Sequence, residues 1–369
     1  MEKPLIGVGC TMSNESIVFE EWAVNGGRVG VARLSAPKSL NALSLEMIRE
    51  LAPKLAQWRE DDGILAVWLE AEGDKAFCAG GDIVALYRDM LEPKPAGQGG
   101  VGEAFFTEEY ALDQVIHTFP KPFVCWGHGI VMGGGIGLMA GASHRVVTEK
   151  SMLAMPEITI GLYPDVGAGW FLNRMPGRTG LFLGLTGARM NGPDALFTGL
   201  ADRFVSQQHK PAVIAALQEA DWQSEPAEAV INQALRRFEK ASQEDRPASP
   251  VRDHFDRINE LTDADTLEQV VIQLKAAGED GDWLAKATRA LAGASPTSLS
   301  LVWRHLARSR HQSLAEVFEQ ELALSIRCLQ KGEFAEGVRA LLIDKDQQPR
   351  WRYPALNDID PEWIDDFFR

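Results

Sequence analysis

The sequence predicts an α/β fold with a mainly helical C-terminal part, and three observations predict it. An Asn-Gly turn joins two β-favouring runs near the start. Short strand-like runs then alternate with helical segments up to about Val205, and from about Pro211 long amphipathic stretches take over. At 369 residues the chain exceeds one typical domain and is short for three. The expected division is a core of residues 1–209 and a mainly helical region, 210–369, that completes the fold.

Ser16 to Ala23 and Arg28 to Leu34 flank Asn25-Gly26-Gly27, the kind of turn that tight hairpins prefer, so the chain opens with a hairpin. Ser44 precedes Leu45, Ile48, Leu51, Leu55 and Trp58, which are apolar at helical spacing, and serves as N-cap of a helix leading to a strand over Ile64 to Leu69. Further strands are expected at Phe123 to Trp126, His144 to Val147 and Met152 to Ala154. The C-terminal amphipathic stretches are Pro226 to Lys240, Ala264 to Ala277 and Ser298 to Gln330. Pro93 to Gly100 and Gln243 to Pro250 have the composition of loops.

Composition narrows the function classes. A chain that is 45% hydrophobic and 24% charged has the make-up of an ordinary globular protein. The net charge of −15 repels a phosphate backbone, which argues against nucleic acid as a partner. The charge-free stretch Gly129 to Ser143 is glycine-rich and shorter than the roughly 20 apolar residues of a membrane span, so no membrane partner is expected. Cys10, Cys78, Cys125 and Cys328 are scattered, with no CxxC pair or metal-like spacing, which suits a reducing compartment and predicts no metal. The first 22 residues show neither a signal-peptide nor a transit-peptide pattern, and the expected location is cytoplasmic.

Two glycine-rich strand-to-helix turns carry the first chemical signal. They are Ala76-Phe77-Cys78-Ala79-Gly80-Gly81-Asp82-Ile83 and the run from Gly129 through Gly133-Gly134-Gly135 to Gly137. Small residues let a ligand approach the backbone, and N–H groups at a helix start point outward unpaired. Two such turns can aim two N–H groups at one oxygen, the anatomy of an oxyanion hole. Either turn alone is equally well read as tight packing, and Gly135-x-Gly137-x-x-Ala140 also matches a relaxed dinucleotide fingerprint, with Glu157 twenty residues beyond Gly137 as its acid.

Carboxylates supply the second signal. Glu157 and Asp165 stand eight residues apart among apolar, Pro and Gly neighbours, where burial is costly without a purpose; the competing reading is a helix cap, above all for Asp165 before Val166-Gly167-Ala168. Phe105, Glu109, Leu112 and Ile116 fall at helical spacing, which puts Glu109 on an apolar face and leaves Glu108 to solvent. Cys78, Cys125, His128 and His144 lack evident catalytic neighbours and read as structural.

At this point a family resemblance enters. AFCAGGDI at 76–83, HGIVMGGGIGL at 128–138 and PKSLNALSLEMI at 37–48 resemble the signature segments of the crotonase, or enoyl-CoA hydratase and isomerase, superfamily. Within it, the segments at 154–177, 108–116, 295–299 and 333–351 closely resemble 3-hydroxyisobutyryl-CoA hydrolases. The resemblance implies a crotonase-like ββα-repeat core, the ClpP/crotonase spiral, with 1–209 as the acyl-CoA-binding catalytic part. It implies a thioesterase of valine breakdown. By motif position, Gly81 and Gly134 hold the thioester oxygen, Glu157 attacks or activates water, and Asp165 contacts the substrate hydroxyl or assists proton transfer. Glu109 and Gly134 match substrate contacts, and Lys38, Leu40, Ala79, Asp82 and Ile83 fall in substrate-binding segments, with Lys38 a candidate for a CoA phosphate.

Related hydratases carry glutamates at the positions matching Gly137 and Glu157, and this chain has only the second. The resemblance calls for no metal or redox cofactor, coenzyme A being part of substrate and product. Superfamily members often form homo-oligomers. The competing expectations are an enoyl-CoA isomerase or hydratase of the same superfamily, a non-catalytic acyl-CoA-binding protein, and the dehydrogenase that the glycine fingerprint suggests.

Overall fold

The predicted hairpin forms. β1 (Ile17–Val24) and β2 (Gly27–Leu34) pair antiparallel with Val24 opposite Gly27, and Gly26 takes the turn at φ +103°, where an L side chain is strained. As a computed structural model, the structure describes residues 16–93, 100–277 and 283–369. Cys10 and the 94–99 part of the expected loop lie outside them.

Ser44 caps α1 (Leu45–Glu60) by accepting from the Met47 N–H, as expected. The strands that follow fall into two sheets. β3 (Ile64–Ala71), β5 (Phe123–Gly127), β7 (His144–Val147) and β10 (Arg203–Phe204) extend the hairpin into a six-stranded sheet of order β1-β2-β3-β5-β7-β10, parallel from β2 onward. β4 (Ala76–Cys78), β6 (Ile130–Met132), β8 (Met152–Ala154) and β9 (Met190–Asn191) form the second sheet. The chain thus visits the large sheet, then the small one, then a helix: α2 (Ile83–Leu91) and α3 (Val101–His117) after β4, α4 (Gly134–Ala140) after β6, and a short 3-10 turn, Glu157–Thr159, after β8. This is the expected ββα repeat.

Two expectations need correction. The glycine run after Phe123–Trp126 does not pass directly into a helix, because β6 intervenes. The stretch Ser298 to Gln330 is two helices, Pro296–Ser309 and Leu314–Lys331, parted where Ser313 and Glu316 form a reciprocal capping box.

Strand periodicity places the core. On the large sheet Leu34, Leu69 and Cys125 face the small sheet and the helices around it, while Val31, Trp68, Val124 and Trp126 face outward. The outer face is sealed by helices Lys210–Glu219 and Ala227–Ala241 through Val213, Leu217, Val230 and Leu235, with Lys210 paired to the buried Glu70 at 2.9 Å. Asn41 fastens the 36–43 loop to the sheets: its Nδ2 donates to the Glu72 and Ala76 carbonyls, and its Oδ1 accepts from the Ala36 N–H.

Candidate active site

Two free N–H groups come first. Gly80 and Gly133 both have positive φ, +104° and +47°, and each turns the chain so that the next residue begins a new course. At Gly81 the local bridge uses Leu43 N–H to Gly80 O and Asp82 N–H to Leu43 O, which leaves the Gly81 N–H out of it. The Gly134 N–H belongs to the first residue of α4, where no intrahelical acceptor exists. A Cβ placed on Gly134 would lie 3.6 Å from Gly81 N, so the two glycines meet at one point.

Three carboxyls face that point. Glu109 rides on the buried face of α3 with Phe105, Leu112 and Ile116, as its spacing predicted. Glu108 sits at the surface and pairs with Arg49 at 2.6 Å. Glu157 opens the turn after β8, and its Oε1 would be 3.0 Å from a Cβ on Gly133. Its Oε2 is buried without a hydrogen-bond partner. Asp165 accepts from the Tyr110 hydroxyl at 2.5 Å. Glu109, Glu157 and Asp165 are 2%, 5% and 4% exposed, and all line one cleft of about 350 Å³ with Gly81, Gly134, Ala79 and Ile83.

The structure therefore brings together seven of the ten residues singled out from sequence. Lys38, Leu40 and Asp82 lie outside the cleft lining. Lys38 is exposed, the Leu40 carbonyl accepts from the Ala79 N–H, and Asp82 caps α2 by accepting from Ala85 N–H. Cys78 is pushed up to about 12 by burial, and burial also holds His128 and His144 below the ordinary histidine value. None of the three lines the cleft.

Sequence reading missed Asp113, one turn beyond Glu109 on the same face. It is fully buried, and neither carboxyl oxygen has a hydrogen-bond partner. Its Oδ2 would be 2.5 Å from a Cβ on Gly137, with Val166 Cβ at 2.8 Å. Position 137 thus has no room for a side chain, and the space is taken by a carboxyl from α3. Val166 itself sits at φ +53°, a costly setting for a β-branched residue, and the strain is held from outside. Glu321, on the Leu314–Lys331 helix, accepts from Gly167 N–H at 2.6 Å, Gly169 N–H at 2.9 Å and His305 Nε2 at 2.9 Å.

Burial raises Glu109, Asp113, Glu157 and Asp165. Glu109 and Glu157 are raised well above the carboxylate range by desolvation first, then by their acidic neighbours. Desolvation, then Asp165 and Glu321, raises Asp113 likewise. Asp165 rises to about 7, mainly through burial, opposed by the Tyr110 hydrogen bond. The sign for stability follows. From the unfolded aspartate value of about 4 up to 7 the folded chain binds more protons than the unfolded one, so stability falls as pH rises. For Asp165 alone the loss is on the order of 4 kcal/mol, present in full above pH 7 and absent below pH 4. Urea midpoints are expected to fall from pH 5 to pH 8 and to fall less in Asp165→Asn; a midpoint that climbs over this interval contradicts the burial account.

Residues 29–368 match the enoyl-CoA hydratase/isomerase family model, and the chain belongs to that family. Among curated relatives, the 3-hydroxyisobutyryl-CoA hydrolase of Gallus gallus is 40% identical over 93% of this chain and 87% of its own length, and that of Homo sapiens is 39% identical over 93% and 86%. Among solved structures, one described as an enoyl-CoA hydratase from Rhodobacter sphaeroides aligns with TM-score 0.82 at 36% identity, covering 96% of this chain and 97% of its own. A carnitinyl-CoA dehydratase from Mycobacterium thermoresistibile aligns at 0.83 and 33%, with the same coverage.

The curated relatives are named as mitochondrial proteins, which overturns the cytoplasmic expectation. A cleaved leader forms no part of the fold, so the folded part of a chain does not report its compartment. Among the described residues no helix is long and apolar enough to cross a membrane.

Proposed function

We propose that this protein hydrolyses 3-hydroxyisobutyryl-CoA to 3-hydroxyisobutyrate and CoA, a step of valine catabolism. The observation that carries the reading is Glu157 beside Asp165 in one cleft with the free N–H groups of Gly81 and Gly134, and position 137 closed to a second glutamate. Attack on a thioester builds negative charge on the carbonyl oxygen, and two backbone donors held in place favour that charge without reorganising. Glu157 has an unpartnered oxygen with which to attack or to take a proton from water. Glu109 and Asp165 suit recognition of the substrate hydroxyl, since a neutral carboxyl both donates and accepts. To Lys38, exposed on the loop that Asn41 anchors, we assign a CoA phosphate as its partner. The chemistry uses only these groups and calls for no metal or redox cofactor.

The solved relatives described as a hydratase and a dehydratase favour a second reading, water addition or removal on an acyl-CoA. Water addition with two glutamates requires a side chain at 137, which Asp113 and Val166 exclude. Free-thiol release separates the readings when the protein meets 3-hydroxyisobutyryl-CoA, straight-chain 3-hydroxybutyryl-CoA and crotonyl-CoA. Rapid release selective for the first is expected. A changing enoyl absorbance on crotonyl-CoA without thiol would transfer the protein to hydratase chemistry.

A further inference from the structure

Behind Asp165 runs a buried line of hydroxyls that the cleft itself does not use. Tyr110 Oη meets Asp165 Oδ2 at 2.5 Å and Ser325 Oγ at 2.7 Å; Ser325 Oγ meets Tyr163 Oη at 2.9 Å; and Tyr163 Oη donates to the Glu321 carbonyl at 2.8 Å. Its members come from α3, from the loop between β8 and β9, and from the Leu314–Lys331 helix.

Counting protons along this line decides something that the heavy atoms leave open. There are four contacts, and each needs one hydrogen. The three hydroxyls supply three, and the carbonyl at the far end supplies none. With Asp165 ionised, one contact must therefore set lone pair against lone pair, in a buried place where that is expensive. With Asp165 protonated the first bond reverses from the one Tyr110 donates to the carboxylate, and every contact is filled in one direction: Asp165 to Tyr110, Tyr110 to Ser325, Ser325 to Tyr163, Tyr163 to the Glu321 carbonyl.

We propose that the Tyr110–Ser325–Tyr163 chain is a positioning device that holds Asp165 in its protonated form in the resting site. This rests on the reading of Glu157 and Asp165 as the working pair and deepens it. The surroundings agree with the count. Glu321 and Cys328 face Asp165 from the long helix, Glu109, Asp113 and Tyr110 from α3, and Glu157 and Tyr163 from its own side of the cleft. His305 bonds the Glu321 carboxylate rather than Asp165. A neutral Asp165 also spares Glu157 a like charge next door, which favours the ionised form that Glu157 needs to attack or to take a proton. Since a backbone carbonyl neither stores nor forwards a proton, the chain is closed at its far end, and the Asp165 proton has its exit into the cleft.

The test reads Asp165 directly, by infrared titration of the protonated carboxyl band that disappears in Asp165→Asn, on protein without substrate. Wild-type protein should keep the band until near pH 7. In Ser325→Ala the chain breaks, and the two tyrosines then satisfy an ionised Asp165 and the Glu321 carbonyl completely. Its midpoint should drop by about one unit or more, a tenfold shift in the proton equilibrium, and Ser325→Thr should restore it. Tyr163→Phe removes two contacts and one hydrogen, so the two remaining hydroxyls fill both remaining contacts with Asp165 ionised; it should shift the midpoint the same way, which serves if Ser325→Ala does not fold. Tyr110→Phe removes the donor to the charged form and should not lower the midpoint. Absence of an Asp165 band at pH 6, or an unchanged midpoint in both folded variants that break the chain, overturns the proposal. Because no substrate is present, an intact titration beside absent thiol release would refute the substrate assignment alone.

Discussion

Glu157→Gln lowers kcat on the hydroxyacyl-CoA substrate by on the order of 10³-fold while leaving CoA-ester binding within a few fold. The change is nearly isosteric at a buried position, and the Gly81 and Gly134 donors are main-chain groups that the substitution does not touch. What is lost is the group whose Oε2 has no protein partner and so stands free for a substrate or water. The check is paired: turnover by thiol release, and binding of a thioether analogue by calorimetry. A variant that loses binding and cooperative unfolding together with turnover would show that Glu157 supports the fold rather than the reaction.

Gly134→Ala should cost about 10² to 10³ in kcat, the usual effect of losing one oxyanion donor. A Cβ there overlaps Glu109 Oε1, and Glu109 is fixed on a buried helix face, so either the carboxyl or the N–H must shift out of line. The two consequences fall on the same reacting oxygen. Gly293→Ala makes a suitable control, since nothing lies within 4 Å of its added methyl. Should Gly134→Ala retain turnover within threefold of wild type, the Gly134 N–H is not a donor to the transition state.

Most of the strands and helices that were legible in the sequence are those long enough to show a period. The hairpin declared itself through Asn25-Gly26, α1 through Ser44 and its apolar spacing, and Glu109 through its place among Phe105, Leu112 and Ile116. The three-residue strand β6 did not, because alternation over three residues flanked by glycine cannot be told from a turn, whereas β8, just as short but free of flanking glycine, was read as a strand. The break between Ser309 and Leu314 contains neither proline nor glycine. Its signal was the Ser313–Glu316 spacing of a capping box, which was available and passed over.

Asp113 was equally available, four residues after Glu109 and three before Ile116 on one helix face. Other parts of the site could not be read in this way. Tyr110 meets Ser325 across 215 residues, and Glu321 meets Gly167 across 154. No local pattern encodes such pairings, because they depend on how the helical part folds back across the sheets. The resemblance identified the acids at the reaction centre, and only the three-dimensional arrangement revealed what holds them.

The Glu321 anchor has a consequence for how the protein is made. The 165–169 loop, with its strained Val166, takes its acceptor from a residue more than 150 positions downstream. During synthesis the two sheets leave the ribosome well before that helix does, and the early chain can lay down its ββα layers without it. In that interval the Gly167 and Gly169 N–H groups lack the acceptor they have in the finished protein. The loop takes its final shape only when the last sixth of the chain has arrived, so competence is acquired at the end of folding.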